Sequence, residues 1–187
     1  MLKLMEGGLL LAVMCFLTSI LLLYWETMRK RLLTYRSQSP EETRAVGQSW
    51  SSGCRLGDFI ALFGSLGAGK TVFVQGLASG FGIPVDWVKS PTFTLVRAYP
   101  SDPAFYHVDL YRLEGEQTLN LDWEDFSRGV TAVEWAEKLG ASLPVDAIRV
   151  TIEVISLQER QITIEGDHDV EEGSPDHPKS DGIFKVG

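Results

Sequence analysis

An eight-residue segment, 64–71, constrains the fold of this chain more than any other feature of its sequence. It reads GSLGAGKT and matches the pattern G-x-x-x-x-G-K-[ST] in full. The apolar run at 59–63 before it predicts a buried strand, and the residues from Lys70 to Ser79 predict a helix. A strand, a glycine-rich turn and a helix in this order are typical of a loop whose backbone amides bind phosphate.

The residue types in this loop have separate roles in binding a nucleotide. Glycines let backbone amides approach phosphate oxygens, and the start of the helix points its positive dipole end at the same anion. Lys70 supplies a compact charge to the β- and γ-phosphates, and the Thr71 hydroxyl is a Mg²⁺ ligand. The predicted nucleotide-binding residues in the loop are Leu66, Gly67, Ala68, Gly69, Lys70, Thr71 and Val72.

Two carboxylates are candidates for the acid that nucleotide hydrolysis requires beside Mg²⁺. Glu134 follows a short strand predicted at 130–133, and Asp109 lies near the end of a strand predicted at 105–111. Because parallel strands end at one edge of a sheet, both residues would stand beside the phosphate loop. Glu134 would hold Mg²⁺ through water or polarise the attacking water. For each residue a solvated carboxylate at a strand end is the alternative.

Several other polar or aromatic residues lie near these candidates in the sequence. Ser90, Thr92 and Thr94 occupy the region that often carries the γ-phosphate sensor of such folds, with ordinary turn chemistry as the alternative. His107 is buried by its pattern and is expected to be a packed, hydrogen-bonded histidine. Trp135, next to Glu134, is expected to belong to the core.

Further elements surround this unit. The residues SPEE at 39–42 predict a capped helix start, with a helix to about Trp50. Alternating apolar residues at 148–154 and 160–164 predict an antiparallel hairpin with one buried face. Weaker patterns predict strands at 93–99, 105–111 and 130–133 and one or two short helices at 116–127. The sequence thus predicts an α/β fold, with a P-loop NTPase-like, mostly parallel sheet flanked by helices and a C-terminal antiparallel hairpin.

The two ends differ in composition from the middle of the chain. Residues 7–25 contain no charged residue over nineteen positions, about the length that crosses a bilayer, and basic residues follow at 29–31. Three interpretations fit this segment. It could be a membrane anchor that leaves the next domain in the cytoplasm, the product of a start codon assigned upstream of a true start at Met28, or a buried helix. The expected organisation is an apolar segment at 1–31, an ATPase domain at 32–166 and an acidic flexible tail at 167–187.

Composition excludes some classes of function. The formal net charge of the 187-residue chain is −8, and no stretch has the basic excess that sequence-independent nucleic-acid binding requires. If nucleic acid is involved, a partner is expected to hold it. The two cysteines, Cys15 and Cys54, cannot form a disulfide framework or a metal site by their spacing, which suits a reducing compartment.

Four segments, taken together, resemble one protein family. They read GSLGAGKT at 64–71, SPTFTLV at 90–96, HVDLYRL at 107–113 and VEW at 133–135. This set is similar to the TsaE (YjeE) family, small bacterial ATPases of tRNA threonylcarbamoyladenosine synthesis, over about 33–166. The resemblance implies a P-loop fold, ATP, Mg²⁺ and slow ATP hydrolysis in the cytoplasm. It also implies coupling to a transferase complex of TsaB and TsaD type that modifies adenosine 37 of tRNA, so that tRNA would be reached indirectly.

The resemblance also implies roles for individual residues. They are a Walker A pair (Lys70 and Thr71), a Walker B-like acid on Mg²⁺ (Glu134), a second carboxylate needed for turnover (Asp109), a switch-like segment (Ser90 and Thr92) and a helix start near the adenine (Pro40). The family usually has Asp where this chain has Ser65, and a second Thr where it has Val72. The charge that Ser65 lacks near the γ-phosphate is expected to alter the rate or the coupling to the partner. Val72 lacks a hydroxyl for the α-phosphate, but its backbone N–H can still make that contact.

Two other functions remain open on the same fold. A small-metabolite kinase would need an acceptor pocket with a base and an arginine-rich lid, but the segment after Asp109 offers only Arg112 and Arg128. A membrane-tethered nucleotide switch without turnover would bind ATP tightly and release no phosphate. The sequence contains no obvious arginine finger. Arg112 is the nearest candidate, and a partner could supply one instead.

Overall fold

The computed structural model of the chain describes Thr18 and residues 31–114, 117, 121 and 123–166. The chain divides into two units, Met1–Lys30 and Arg31–Gly187, and the elements given below belong to the second. Apart from Thr18, the apolar segment at 7–25 lies outside the described residues, as does the tail at 167–187. In the described part of the chain no helix is both long enough and apolar enough to span a membrane.

The second unit contains a seven-stranded sheet and three described α-helices. Its strands are β1 (Arg31–Ser37), β2 (Phe59–Phe63), β3 (Val96–Tyr99), β4 (Ala104–Asp109), β5 (Gly129–Glu134), β6 (Ile148–Val154) and β7 (Arg160–Gly166). Its helices are α1 (Pro40–Ser51), α2 (Lys70–Gly80) and α3 (Trp123–Phe126), with 3-10 segments at Val85–Trp87 and Ala136–Ser142. The predicted α/β class and the α1 and α2 helices are therefore confirmed.

The strands lie in the order β1-β7-β6-β2-β5-β4-β3. The four central strands, β6, β2, β5 and β4, are parallel to one another. The outer pairs, β1 with β7, β7 with β6, and β3 with β4, are antiparallel. The C-terminal hairpin is thus confirmed. The edge strand β1 was not predicted, because most of its residues are exposed or half-buried and carry no clear apolar alternation. It begins at Arg31, one residue before the expected domain boundary.

Local turns shorten two of the predicted strands. β3 starts at Val96 instead of residue 93, because Leu95 has φ 63°, which interrupts the extended backbone. β4 ends at Asp109 instead of residue 111, because the Asp109 carboxylate accepts a hydrogen bond from the Tyr111 amide at 2.9 Å and turns the chain. Of the short helices predicted at 116–127, α3 is the part that lies within the described residues.

The apolar core lies on both faces of the sheet. On one face, α1 and α2 cover the sheet through Trp50, Phe73 and Leu77, which are at most 2% exposed. On the other face, a smaller cluster includes Leu139 of the second 3-10 segment and Val108. The N-cap of α1 forms as predicted, since the Ser39 hydroxyl accepts from the Glu42 amide at 3.2 Å. The Glu42 carboxylate accepts from the Gln38 amide at 2.6 Å, so the second bond of the predicted capping box goes to the residue before the N-cap.

The contact between α1 and α2 depends on glycine. A Cβ atom added at Gly76 in α2 would lie 1.9 Å from the Arg44 carbonyl oxygen of α1, and one at Gly47 in α1 would lie 2.3 Å from the Phe73 carbonyl oxygen. Backbone atoms cannot yield as a flexible side chain can, so the two helices can approach this closely only with glycine at these positions.

We predict that Gly76→Ala lowers the free energy of unfolding by about 1–3 kcal/mol, because the added methyl group forces α1 away from α2. Chemical denaturation followed by circular dichroism measures this. Ser79→Ala in the same helix is the control and should cost less than about 1 kcal/mol, since it adds no atom. Equal stability of Gly76→Ala and the parent protein would contradict the packing described here.

Candidate functional site

The site lies where three parallel strands end at one edge of the sheet. β5 lies between β2 and β4, and the register pairs Asp109 with Glu134 and Leu62 with Glu134. The loop at 64–69 follows β2 directly, so it leaves the sheet beside both carboxylates. The carboxyl edge of a parallel sheet is where α/β proteins bind their ligands.

The loop leads directly into α2 through two glycines with positive φ. Gly67 has φ 76° and Gly69, the N-cap of α2, has φ 112°, a region that L side chains rarely adopt. No side chain caps this helix end. The first amides of a helix have no acceptor within the helix, so those of α2 are available to an anion, which the helix dipole also favours.

The loop and the strand ends surround one cavity of about 440 Å³. Its lining residues are Leu66, Gly67, Ala68, Gly69, Lys70, Thr71, Val72, Ser90, Thr92, Asp109, Tyr111, Glu134 and Trp135. The structure therefore brings together the predicted loop residues, both carboxylates, Ser90 and Thr92. Three other candidates, Pro40, Thr94 and Arg112, are not among the lining residues. Helix α1 approaches the loop through Thr43 instead, whose Cγ2 lies 4.0 Å from the position of a Cβ on Gly69.

The two buried carboxylates have different partners. Glu134 Oε1 accepts a hydrogen bond from the Thr71 hydroxyl at 2.8 Å, so Thr71 and Glu134 are in direct contact. Asp109 Oδ2 accepts from the hydroxyls of Ser90 and Thr92, the latter at 2.6 Å. Glu134 is therefore linked to the start of α2, and Asp109 to the segment between α2 and β3.

The Lys70 ammonium group is held by its own loop. Nζ donates to the carbonyl oxygens of Gly64 at 2.6 Å and Ser65 at 3.0 Å, and it lies 3.6 Å from the centroid of the Trp135 ring. Burial lowers the pKa of Lys70 from its usual value, while the negative charges of Glu134, Glu137 and Asp109 act against this shift. An anionic group at the loop would offer Nζ stronger acceptors than these carbonyls.

Two aromatic residues of the cavity were not expected there. Trp135 packs against the smaller core cluster, as expected, but it is only half-buried and also lies under the Lys70 ammonium, with φ 62°. Left-handed backbone at a non-glycine residue costs energy and is found most often at functional sites. The Tyr111 ring lies 5.0 Å from the Trp135 ring. The sequence signal for these two residues was their place in the segments HVDLYRL and VEW, close to Asp109 and Glu134.

Arg160 also contacts the loop, although the sequence gave no reason to select it. Its Nε donates to the Ala68 carbonyl at 3.0 Å, and its Nη1 donates to the carbonyls of Ser156 at 3.0 Å and Glu159 at 3.1 Å. Arg160 starts β7, at the same edge as the end of β6, so the hairpin places it beside the loop. The sequence analysis named Arg112 as the nearest candidate for an arginine finger. Its Cζ instead lies 4.1 Å from the centroid of the Phe93 ring.

The site combines oxygen ligands for a cation with backbone amides and one lysine for an anion. Within the described residues no group of three or more His, Cys, Asp or Glu side chains could hold a metal ion by itself. The Thr71 hydroxyl and the Glu134 carboxylate are hard oxygen donors, which magnesium prefers when phosphate and water supply the remaining ligands. The arrangement can therefore bind a phosphate-bearing ligand together with a partly hydrated cation.

Comparison with known proteins gives the family. A family model described as "Threonylcarbamoyl adenosine biosynthesis protein TsaE" matches residues 37–162. The chain belongs to the TsaE family. A Bacillus subtilis relative named tRNA threonylcarbamoyladenosine biosynthesis protein TsaE is 40% identical over 133 residues, which cover 70% of this chain and 84% of the relative. A relative of the same name from Treponema pallidum is 34% identical over 131 residues, covering 68% and 96%.

A solved structure agrees with this assignment to the TsaE family. The crystal structure of YdiB from Bacillus subtilis superimposes with a TM-score of 0.62 at 32% sequence identity, and the match covers 74% of this chain and 87% of that protein. Every residue that lines the cavity lies within the TsaE match at 37–162. The family resemblance expected from four short segments is thus confirmed.

We predict that Arg160→Ala loosens the loop, because the Ala68 carbonyl loses its donor. The free energy of unfolding should fall by about 1 kcal/mol. Hydrogen–deuterium exchange should accelerate in peptides that cover 64–71. Arg36→Ala, which removes an exposed ion pair with Glu159, is the control and should leave exchange in the loop unchanged. If exchange in the loop does not respond to Arg160→Ala, the contact does not hold the loop.

Proposed function

We propose that this TsaE-family chain is a Mg²⁺-dependent ATPase that supports the formation of threonylcarbamoyladenosine in tRNA. The names of its relatives supply the tRNA modification. The single observation that supports ATP hydrolysis is the contact between Thr71 and Glu134, 2.8 Å long, beside the loop that ends in Lys70. P-loop hydrolysis requires an anion-binding loop, a cation ligand and an acid at one place.

The residues present fit a magnesium ion. The Thr71 hydroxyl has one proton and two lone pairs, so it can donate to Glu134 Oε1 and still ligate a cation. Both of these donors are oxygens, as magnesium prefers, and Glu134 would act through a bound water or on the attacking water. The ion, when bound, neutralises charge that develops on the transferred phosphoryl group.

The loop would bind the triphosphate of ATP. The amides of Gly67, Gly69 and the first turn of α2 would donate to its oxygens. Lys70 would exchange its bonds to the Gly64 and Ser65 carbonyls for bonds to phosphate. Such charge-assisted hydrogen bonds are about twice as strong as neutral ones, so the exchange favours binding.

Asp109 would hold the switch-like segment in position. Its carboxylate accepts from both Ser90 and Thr92, so the two hydroxyl groups share a single acceptor. Hydroxyl groups released from Asp109 could turn to the terminal phosphate of a bound nucleotide. Coupling between nucleotide state and a partner surface would then pass through residues 90–95, which include the 83% exposed Phe93.

The proposed partners are transferase proteins of TsaB and TsaD type, and the proposed location is the cytoplasm. The formal net charge of −8 argues against direct binding of tRNA by this chain, so the chain would act on the partner complex. Slow turnover by the isolated chain is expected, because both nearby guanidinium groups have other contacts. Arg112 lies over the Phe93 ring, and Arg160 donates to the Ala68 carbonyl of the loop. A partner would then supply the missing charge stabilisation.

We predict that Glu134→Gln lowers ATP turnover in the presence of the partner complex at least about a hundredfold, because the water loses its carboxylate. Binding of a fluorescent ATP analogue should change less than about threefold. Lys70→Ala should instead weaken binding by tenfold or more, since a charge-assisted contact is lost. Turnover at the parent rate by Glu134→Gln would remove this residue from the mechanism. Tight binding with no phosphate release by the parent chain would favour the nucleotide switch.

We predict that cells depleted of this protein lose threonylcarbamoyladenosine from their tRNA. Mass spectrometry of tRNA nucleosides measures this directly. Complementation with the parent chain should restore the modification, and complementation with Lys70→Ala or Glu134→Gln should not. Unchanged modification after verified depletion would overturn the assignment to this pathway and would leave the ATPase assignment untouched.

A further inference from the structure

His107 is fully buried on β4, two residues before Asp109. Its Nε2 lies 2.8 Å from Glu134 Oε1, the same oxygen that accepts from the Thr71 hydroxyl. One carboxylate oxygen at the end of β5 is therefore contacted by a histidine on β4 and by a threonine at the start of α2. The sequence predicted a packed, hydrogen-bonded histidine, but the structure gives it the proposed catalytic acid as its partner.

The other ring nitrogen of His107 has no such partner. Nδ1 is buried, and no hydrogen-bonding group among the described residues reaches it. An unsatisfied buried polar atom lowers stability, typically by about 1–3 kcal/mol. An apolar side chain of similar volume would fill this position at less cost, so packing alone does not account for a histidine here.

The contacts define one tautomer of the ring. An ionised carboxylate only accepts hydrogen bonds, so Nε2 carries the proton that Glu134 Oε1 receives. A proton on Nδ1 would leave a buried N–H group without an acceptor among the described residues. The arrangement therefore fits a ring that donates from Nε2 to Glu134.

We propose that His107 is a positioning residue that fixes the orientation of the Glu134 carboxylate. This inference rests on the proposed function of hydrolysis. Oε1 is held from two sides, by His107 and by Thr71, which would leave Oε2 for a cation-bound water or the attacking water. The Thr71 hydroxyl would take the cation as a second partner, whereas His107 is fully buried and has Glu134 as its one hydrogen-bond partner among the described residues. His107 would therefore keep the carboxylate in place when the cation binds.

Three substitutions of His107 separate positioning from packing. His107→Gln places an amide N–H near the position of Nε2, His107→Asn carries the same group too far from Glu134, and His107→Met is apolar. We expect His107→Met and His107→Asn to lower kcat about tenfold or more with the partner complex. Nucleotide Kd should stay within about twofold of the parent value for all three, since the loop is untouched. His107→Gln should recover most of the lost kcat.

The stability of the same variants gives a second readout. His107→Met removes the unsatisfied Nδ1 but also the donor to Glu134, so two opposing effects of similar size should leave its resistance to chemical denaturation close to that of the parent protein. A lower kcat without a matching loss of stability is the result expected for positioning. Equal kcat in the parent, His107→Met and His107→Gln would overturn the proposal. So would a loss of kcat that tracks the loss of stability without recovery in His107→Gln.

A spectroscopic measurement tests the contact without any turnover. Long-range proton–nitrogen correlation spectra of the parent chain should show one histidine ring in the Nε2–H form, absent in His107→Gln. Its resonances should shift in Glu134→Ala. An Nδ1–H ring or a ring insensitive to Glu134→Ala would overturn the inference. If the parent chain does not hydrolyse ATP even with the partner complex, the proposed function fails, and the spectra still decide whether His107 holds Glu134.

Discussion

The parallel pairing of β5 with β2 and with β4 determines where every chemical group of the site stands. This register places Asp109 beside Glu134 and brings both next to the loop that follows β2. A slip of one residue would turn one carboxylate to the opposite face of the sheet and remove its contacts. The fold therefore holds the site through backbone hydrogen bonds of the central strands, whose residues are largely buried.

The site concentrates charge in a place where water is largely excluded. Lys70, Asp109 and Glu134 are each at most 4% exposed, and each is held by several hydrogen bonds. Burying charged groups is unfavourable unless they are paired, so the site is costly by itself. The closely packed helices α1 and α2 and the β6–β7 hairpin stabilise the surrounding structure. Low dielectric in turn strengthens the interaction of these groups with a bound anion or cation.

Local motifs made much of this structure predictable. The glycine-rich loop, the Ser39 N-cap of α1 and the alternation in β6 and β7 depend on neighbouring residues, and all three appear as expected. Contacts between distant segments were harder to foresee. The bond from Arg160 to Ala68 spans 92 positions, and the bond from His107 to Glu134 spans 27, so both depend on strand order and register. Pro40 was placed near the site by family resemblance, but it does not line the cavity, and the structure places Thr43 of α1 close to Gly69 of the loop.

The central claim is that the loop between β2 and α2 binds ATP with magnesium, and isothermal titration calorimetry tests it most directly. The account predicts heat from one nucleotide per chain, with tighter binding in magnesium than in a chelator. Titration at two temperatures guards against a binding enthalpy close to zero at one of them. A sample that is folded by circular dichroism and gives no heat at either temperature would contradict the account.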